Sequence, residues 1–167
     1  GEKVKFATGF QYLIFPALFF GFAVKVPVVP FHTWLPDAHV EAPTGGSVML
    51  AGVMLKMGGY GLVRIAFTLM PEAVVKYALP MAILGVISMV YGAFLALAQD
   101  DLKKMIAYSS VSHMGSVIFG LAVLNSKGFD GAMFQMFAHG LISAMLFMVC
   151  GILYHTVHTR KISELGG

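Results

Sequence analysis

The chain has 167 residues, of which 58% are apolar, 11% are charged and 19 are glycines, and its mean hydropathy is +0.82. A soluble domain carries about 25% charged and about 45–50% apolar residues, so these proportions exclude an ordinary water-soluble enzyme. Lys plus Arg total 11 against 8 Asp plus Glu, a net charge of +3, and no basic run is dense enough to track a phosphate backbone, which sets nucleic acid aside as a partner.

Five apolar runs are long enough to cross a hydrocarbon core of about 30 Å, which takes about 20 helical residues. They extend from Phe10 to Phe31, Ser47 to Leu69, Tyr77 to Leu97, Met105 to Leu124 and Gly131 to Tyr154. The connections Asp37 to Glu41, Met70 to Lys76, Gln99 to Lys104 and Asn125 to Asp130 are short and carry most of the charge. Successive helices therefore cross in alternating directions. Strands do not compete, because period-2 alternation is absent and the runs exceed the roughly 9–11 residues of a barrel strand. The predicted fold is all-α: a polytopic membrane helix bundle of five transmembrane helices, forming a single membrane domain over residues 1–167. Trp34 and Tyr154 fall near run ends, where amphipathic rings favour the headgroup region. The cations do not set an orientation, since Lys3, Lys5, Arg64, Lys76 and Lys127 on one side are balanced by Lys103, Lys104, Arg160 and Lys161 on the other. The chain starts at Gly1 with no secretory pattern and reads as an interior piece of a longer protein.

The polar residues within the runs carry the chemistry. Lys25 is followed by Pro27 and Pro30, each lacking the amide that bonds four residues back, which predicts free carbonyls at Ala23 and Val26. From Phe6 to Leu35 a straight helix would be about 45 Å long. A first span broken near Pro27 and Pro30 is the simpler reading, and such breaks present backbone dipoles to ions; the alternative is that the span ends at Pro30 and Lys25 snorkels to the interface. Lys56 lies mid-run, where a charge costs about 2.5–3.5 kcal/mol. It is either a structural lysine paired with a carboxylate on another helix or a functional proton or ion site. Gly52 and Gly59, at i−4 and i+3, leave room beside it.

Further along, Ser109, Ser112 and Ser116 flank His113 at i−4, i−1 and i+3, and Gln135, His139 and Ser143 form a second stripe at i, i+4 and i+8. Hydroxyl, amide and imidazole groups on two consecutive helices can line a chain of waters, and a histidine with pKa near about 6.5 passes protons both ways. Taken singly, each histidine also fits a hydrogen-bonded packing role. His155 and His158 read as a hydrated interfacial pair beside Arg160 and Lys161. His32, Asp37 and His39 could hold a metal or cap a loop. Gly58-Gly59-Tyr60-Gly61 lies within a span and reads as close helix packing rather than a phosphate loop. A lone Cys150 cannot form an internal disulfide, ligate an iron–sulfur cluster or build a cysteine zinc site, so any redox centre this chain serves sits elsewhere.

The run from Lys25 to His39, Lys25-Val26-Pro27-Val28-Val29-Pro30-Phe31-His32-Thr33-Trp34-Leu35-Pro36-Asp37-Ala38-His39, continuing through Glu41-Ala42-Pro43-Thr44 to Leu55-Lys56-Met57-Gly58, resembles the antiporter-like membrane subunits of respiratory complex I, the proton-pumping NADH:quinone oxidoreductases. The run Asp101-Leu102-Lys103-Lys104-Met105-Ile106-Ala107-Tyr108-Ser109-Ser110-Val111-Ser112-His113-Met114-Gly115 and the segment His139-Gly140-Leu141-Ile142-Ser143-Ala144 are similar too. Together they cover nearly all of the chain from Phe19 onward. Ser143, where relatives such as the multisubunit sodium/proton antiporters usually carry lysine, and His113 point to the branch called chain M, counterpart of mitochondrial chain 4.

The resemblance implies a proton-translocating membrane subunit. Lys25 would be a central lysine whose charge responds to a glutamate on another helix, Lys56 the next protonatable lysine, and His113 and His139 the link onward. Pro27, Pro30, Ser109, Ser112, Ser116, Gln135 and Ser143 would support them. A carboxylate moving toward or away from Lys25 would switch its proton affinity. No cofactor is expected in this chain: NADH, FMN, iron–sulfur clusters and quinone would belong to partner subunits, the other membrane and peripheral subunits of complex I. The bilayer would be a bacterial inner membrane rather than a mitochondrial inner or thylakoid membrane. The competing readings are a subunit of a sodium/proton antiporter or membrane-bound hydrogenase, and a scaffold in which both lysines are static ion-pair partners.

Overall fold

A computed structural model describes residues 6–165. Its helices are α1 (Thr8–Lys25), α2 (Trp34–Glu41), α3 (Thr44–Phe67), α4 (Pro71–Leu97), α5 (Leu102–Ala122) and α6 (Ser126–Val157), followed by a 3-10 turn at Ile162–Glu164. All five apart from α2 are long and apolar enough to cross a membrane. Their starts follow ordinary capping chemistry: the Asp101 carboxylate accepts from the Lys104 amide at 3.1 Å, the Asn125 side chain accepts from the Gly128 amide at 2.6 Å, and Pro71 occupies the first turn of α4. These caps lie in the links, so α4, α5 and α6 begin earlier than their apolar runs do.

The expected break is present, and α1 ends at Lys25, short of Phe31. The amide-free prolines cannot continue the ladder, and residues 26–33 cross in turns to α2. Several of the backbone groups released there are recaptured. The Val28 amide donates to the Ala23 carbonyl at 2.9 Å, so that carbonyl is not free as expected. The Trp34 indole donates across the break to the Val24 carbonyl at 3.0 Å, and the Val29 amide donates to the Ser88 hydroxyl of α4 at 2.9 Å.

Helix α3 departs from the sequence expectation in another way. It contains two π-helical turns, Leu50–Met54 and Leu62–Phe67, on either side of an α-helical stretch Leu55–Gly61. The stretch between them presents its glycines to neighbours, as close packing predicts. A Cβ on Gly58 would stand 2.8 Å from Val26 Cγ2 and 3.1 Å from Lys25 Cβ, and Gly61 abuts the Phe22 ring.

Helix α5 packs between α4 and α6 and lies at the centre of the bundle. Its Val111, Met114, Val117, Ile118 and Leu121 join Phe15, Leu62 and Met81 in the main core, while Ala51, Ile106, Ala107, Phe147 and Cys150 form a second cluster. Leu13, Leu79, Leu97 and Phe134 face outward, the pattern of a surface that meets lipid rather than water. Glycines set the α4–α5 distance: a Cβ on Gly115 would lie 2.6 Å from the Met89 nitrogen and 2.8 Å from the Gly85 oxygen. Replacing Gly115 by leucine is therefore expected to push the two backbones apart, at a cost of about 1–3 kcal/mol or more. Gly131→Ala, with no atom within 4 Å of its Cβ, is expected to leave stability unchanged or slightly raised. Thermal denaturation of the purified parent complex carrying each change checks the pair.

Candidate functional site

The π turn before Lys56 sets its surroundings. With the ladder locally loosened, the Ala51 carbonyl, five residues back, accepts a hydrogen bond from Lys56 Nζ. The same ammonium reaches across to α6, where it lies 2.8 Å from His139 Nδ1. Close approach makes this possible: a Cβ on Gly140 would be 3.0 Å from the Gly52 oxygen and 3.4 Å from Lys56 Cε. The spacing around Lys56 therefore serves a partner helix.

His139 is buried, and its Nε2 lies 3.2 Å from Ser110 Oγ of α5. The Ser110 hydroxyl donates to the Ile106 carbonyl at 3.2 Å, so it accepts from His139. That assigns the proton to Nε2 and leaves Nδ1 with the lone pair that takes the Lys56 N–H. Ser143 donates to the His139 carbonyl at 2.6 Å and lies 3.5 Å from the Ala51 oxygen. The result is a continuous run from Lys56 through His139 to Ser110, linking α3, α6 and α5. His113 stands beside it: its ring centroid is 5.3 Å from that of His139, and its Nδ1 is 3.1 Å from the Gln135 amide.

Other expected site residues are placed differently. The Ser109, Ser112 and Ser116 hydroxyls donate to the carbonyls of Ile106, Met89 and His113. Within an apolar slab the nearest acceptor for a helical hydroxyl is a backbone carbonyl, so these three do not join the run. Ser110 does, although the stripe reading passed over it. It sits at i−3 from His113, and that spacing was the available signal, but the relative rotation of α5 and α6 chooses among the serines. Lys25 is half-buried in the last turn of α1, its Cβ against Gly58 of α3. Among the described residues it makes no hydrogen bond or ion pair with another side chain. Pro27 is buried and Pro30 exposed within the break.

His32 and His39, outside the five spanning helices, do not converge on one ligand position. His32 meets the rings of Tyr91 and Tyr108 at 5.9 and 6.2 Å, while His39 stacks on Phe147 at 4.3 Å. Burial lowers the His32 pKa, against the opposing pull of the Pro30 carbonyl, which accepts from the imidazole. Burial, aided by the charges of Lys103 and Lys56, pushes His39 down to about 4. Lys56 also lines an apolar groove of about 580 Å³ between α3 and α6, with Gly52, Tyr60, Met136 and Gly140.

The family described as NADH:quinone oxidoreductase/Mrp antiporter, transmembrane, matches residues 3–167. Similar proteins include NADH-quinone oxidoreductase subunit M of Rickettsia bellii (strain RML369-C), 51% identical over 94% of this chain and 32% of the relative. The protein of the same name from Escherichia coli (strain K12) is 51% identical over 96% of this chain and 32% of its own length. Respiratory complex I from Thermus thermophilus with bound NADH contains a chain that matches with a TM-score of 0.86 and 31% identity, over 91% of this chain and 32% of that one. The chain thus spans about a third of the length of these relatives. With five helices long and apolar enough to cross a membrane and a match over nearly every residue, the chain belongs to the NADH:quinone oxidoreductase/Mrp antiporter transmembrane family.

Proposed function

We propose that this chain carries part of the proton path of a membrane subunit of an NADH:quinone oxidoreductase, in which electron transfer in partner subunits drives protons across the membrane. The observation that carries the reading is the hydrogen-bonded run Lys56–His139–Ser110. The names borne by the relatives support it. On this reading NADH, FMN, iron–sulfur clusters and quinone belong to partner membrane and peripheral subunits. The bacterial sources of the relatives favour a bacterial inner membrane.

The geometry suggests how a proton moves. Lys56 Nζ gives a proton to His139 Nδ1 as His139 Nε2 gives one to the Ser110 hydroxyl, which turns from the Ile106 carbonyl and passes its own proton to a water on the path, so the imidazole relays a proton without leaving its place. His113, held by Gln135, is the next titratable ring along the same face. Lys25 enters through its packing on Gly58 of the helix that carries Lys56, and its proposed role is to bias Lys56 electrostatically as its own charge changes.

In the assembled full-length complex, Lys56→Ala is expected to lower both quinone reduction and proton pumping by at least about tenfold, measured in proteoliposomes with NADH. Unchanged protons per electron at unchanged turnover would sink the proton-path reading. His139→Ala should cost more than His113→Ala, because only His139 is bonded at both nitrogens. Ser110→Ala, which strands His139 Nε2, should fall between them; the three turnover numbers, measured side by side, test that order. Should the parent protein purify without redox subunits and exchange sodium for protons in vesicles, the antiporter reading replaces this one.

A further inference from the structure

The carbonyl end of α2 lies inside the protein, where helix ends must find donors. It finds three, each from a different element. Ser47 of α3 donates to the His39 carbonyl at 3.1 Å, Arg160, just after α6, donates to the Val40 carbonyl at 3.4 Å, and Lys103 of α5 donates to the Ala42 carbonyl at 2.9 Å. Lys103 is 6% exposed although it carries a full charge near the start of a spanning helix, a costly position for a cation without a purpose there. Two cations at a helix C-terminus also meet the negative end of its dipole.

Arg160 is itself held. Arg160 Nε is 3.6 Å from Asp101 Oδ2, and the same carboxylate caps α5. The Leu102 amide donates to the Arg160 carbonyl at 3.0 Å and the Ile162 amide to the Asp100 carbonyl at 2.8 Å, a short antiparallel bridge between the α4–α5 link and the segment after α6. His39, whose carbonyl is the one Ser47 caps, is fully buried and stacked on Phe147, with neither ring nitrogen hydrogen-bonded. Phe147 in turn belongs to the small cluster with Ala51, Ile106 and Cys150, and Ala51 supplies the carbonyl that receives Lys56.

We propose that Lys103 and Arg160 are positioning residues: by gripping the carbonyl end of α2 from α5 and from the segment after α6, they hold that half-helix and the His39–Phe147 stack closed over the Lys56–His139 site. Neither residue touches Lys56 or His139. Their effect runs through α2, and its loss opens the cluster to water from that side. The inference rests on the proposed proton path for its functional consequence, whereas the closure itself has an independent reporter in buried Cys150.

The test uses the full complex in native membranes, with alkylation of Cys150 by N-ethylmaleimide followed by peptide mass spectrometry. Lys103→Met and Arg160→Gln are each expected to speed Cys150 alkylation by about tenfold, the effect of losing one charge-assisted hydrogen bond from a local closure. Lys103→Arg, which keeps a donor and a charge, should restore the wild-type rate. The two loosened variants should also pump fewer protons per electron while quinone reduction continues. An unchanged alkylation rate in assembled Lys103→Met and Arg160→Gln overturns the proposal, and so does a rise that Lys103→Arg fails to reverse. If neither assembles, Ser47→Ala removes the third donor and leaves both charges; about a threefold rise is expected, and no rise overturns the proposal. Should Lys56→Ala pump normally while Cys150 still opens in the clamp variants, the proton path fails and the clamp stands.

Discussion

In hydrocarbon no water is available to a stray amide or carbonyl, so every departure from the helical ladder must be answered by another protein group. That constraint governs this chain, because the chain departs from the ladder beside the residues of the proposed proton path. The prolines open the helix between Lys25 and Trp34, and the opening is closed by an indole from beyond the break and a hydroxyl from α4. The π turn of α3 displaces the Ala51 carbonyl, and Lys56 occupies it. The end of α2 is met by Ser47, Arg160 and Lys103.

These answers couple the helices. Ser88 belongs to α4, Lys103 and Ser110 to α5, and His139 and Ser143 to α6, so the irregular regions of α1, α2 and α3 are held by side chains from the three regular spans. The rigid part of the bundle, drawn together by Gly85, Gly92 and Gly115 at the α4–α5 crossing, supplies the donors and acceptors. A half-buried ammonium is tolerated at Lys56 for the same reason. Its protons have acceptors on its own helix and on α6, and glycines at Gly52 and Gly140 let the two backbones approach closely enough for a lysine to reach a histidine.

Much of this was legible in the sequence. Span number and type follow from apolar length, which depends on the thickness of a bilayer and on little else. The broken first span follows from Pro27 and Pro30, since a missing amide acts locally. Lys56 and His139 stand out because polar groups in an apolar run are costly wherever their partners lie. The two π turns were not legible, since their residues Leu50–Met54 and Leu62–Phe67 have no composition that separates them from an ordinary helix. Nor was the C-terminal seat of α2, whose donors Lys103 and Arg160 lie far along the chain and read by themselves as interfacial charges.

The sequence by itself determined that this is a five-span membrane bundle with a broken first helix, two lysines and two histidines at membrane depth, and a family resemblance carried by long ungapped runs. Only the tertiary structure decided which of these groups meet. Lys56 bonds His139 and not a carboxylate, and His139 bonds Ser110 and not the serines spaced around His113. Lys25 packs against the helix of Lys56 without joining the hydrogen-bonded run. Periodicity says which side chains share one helix face, but the rotation and depth of one helix against another come from glycine contacts and capped ends, and these bring together residues from distant parts of the chain.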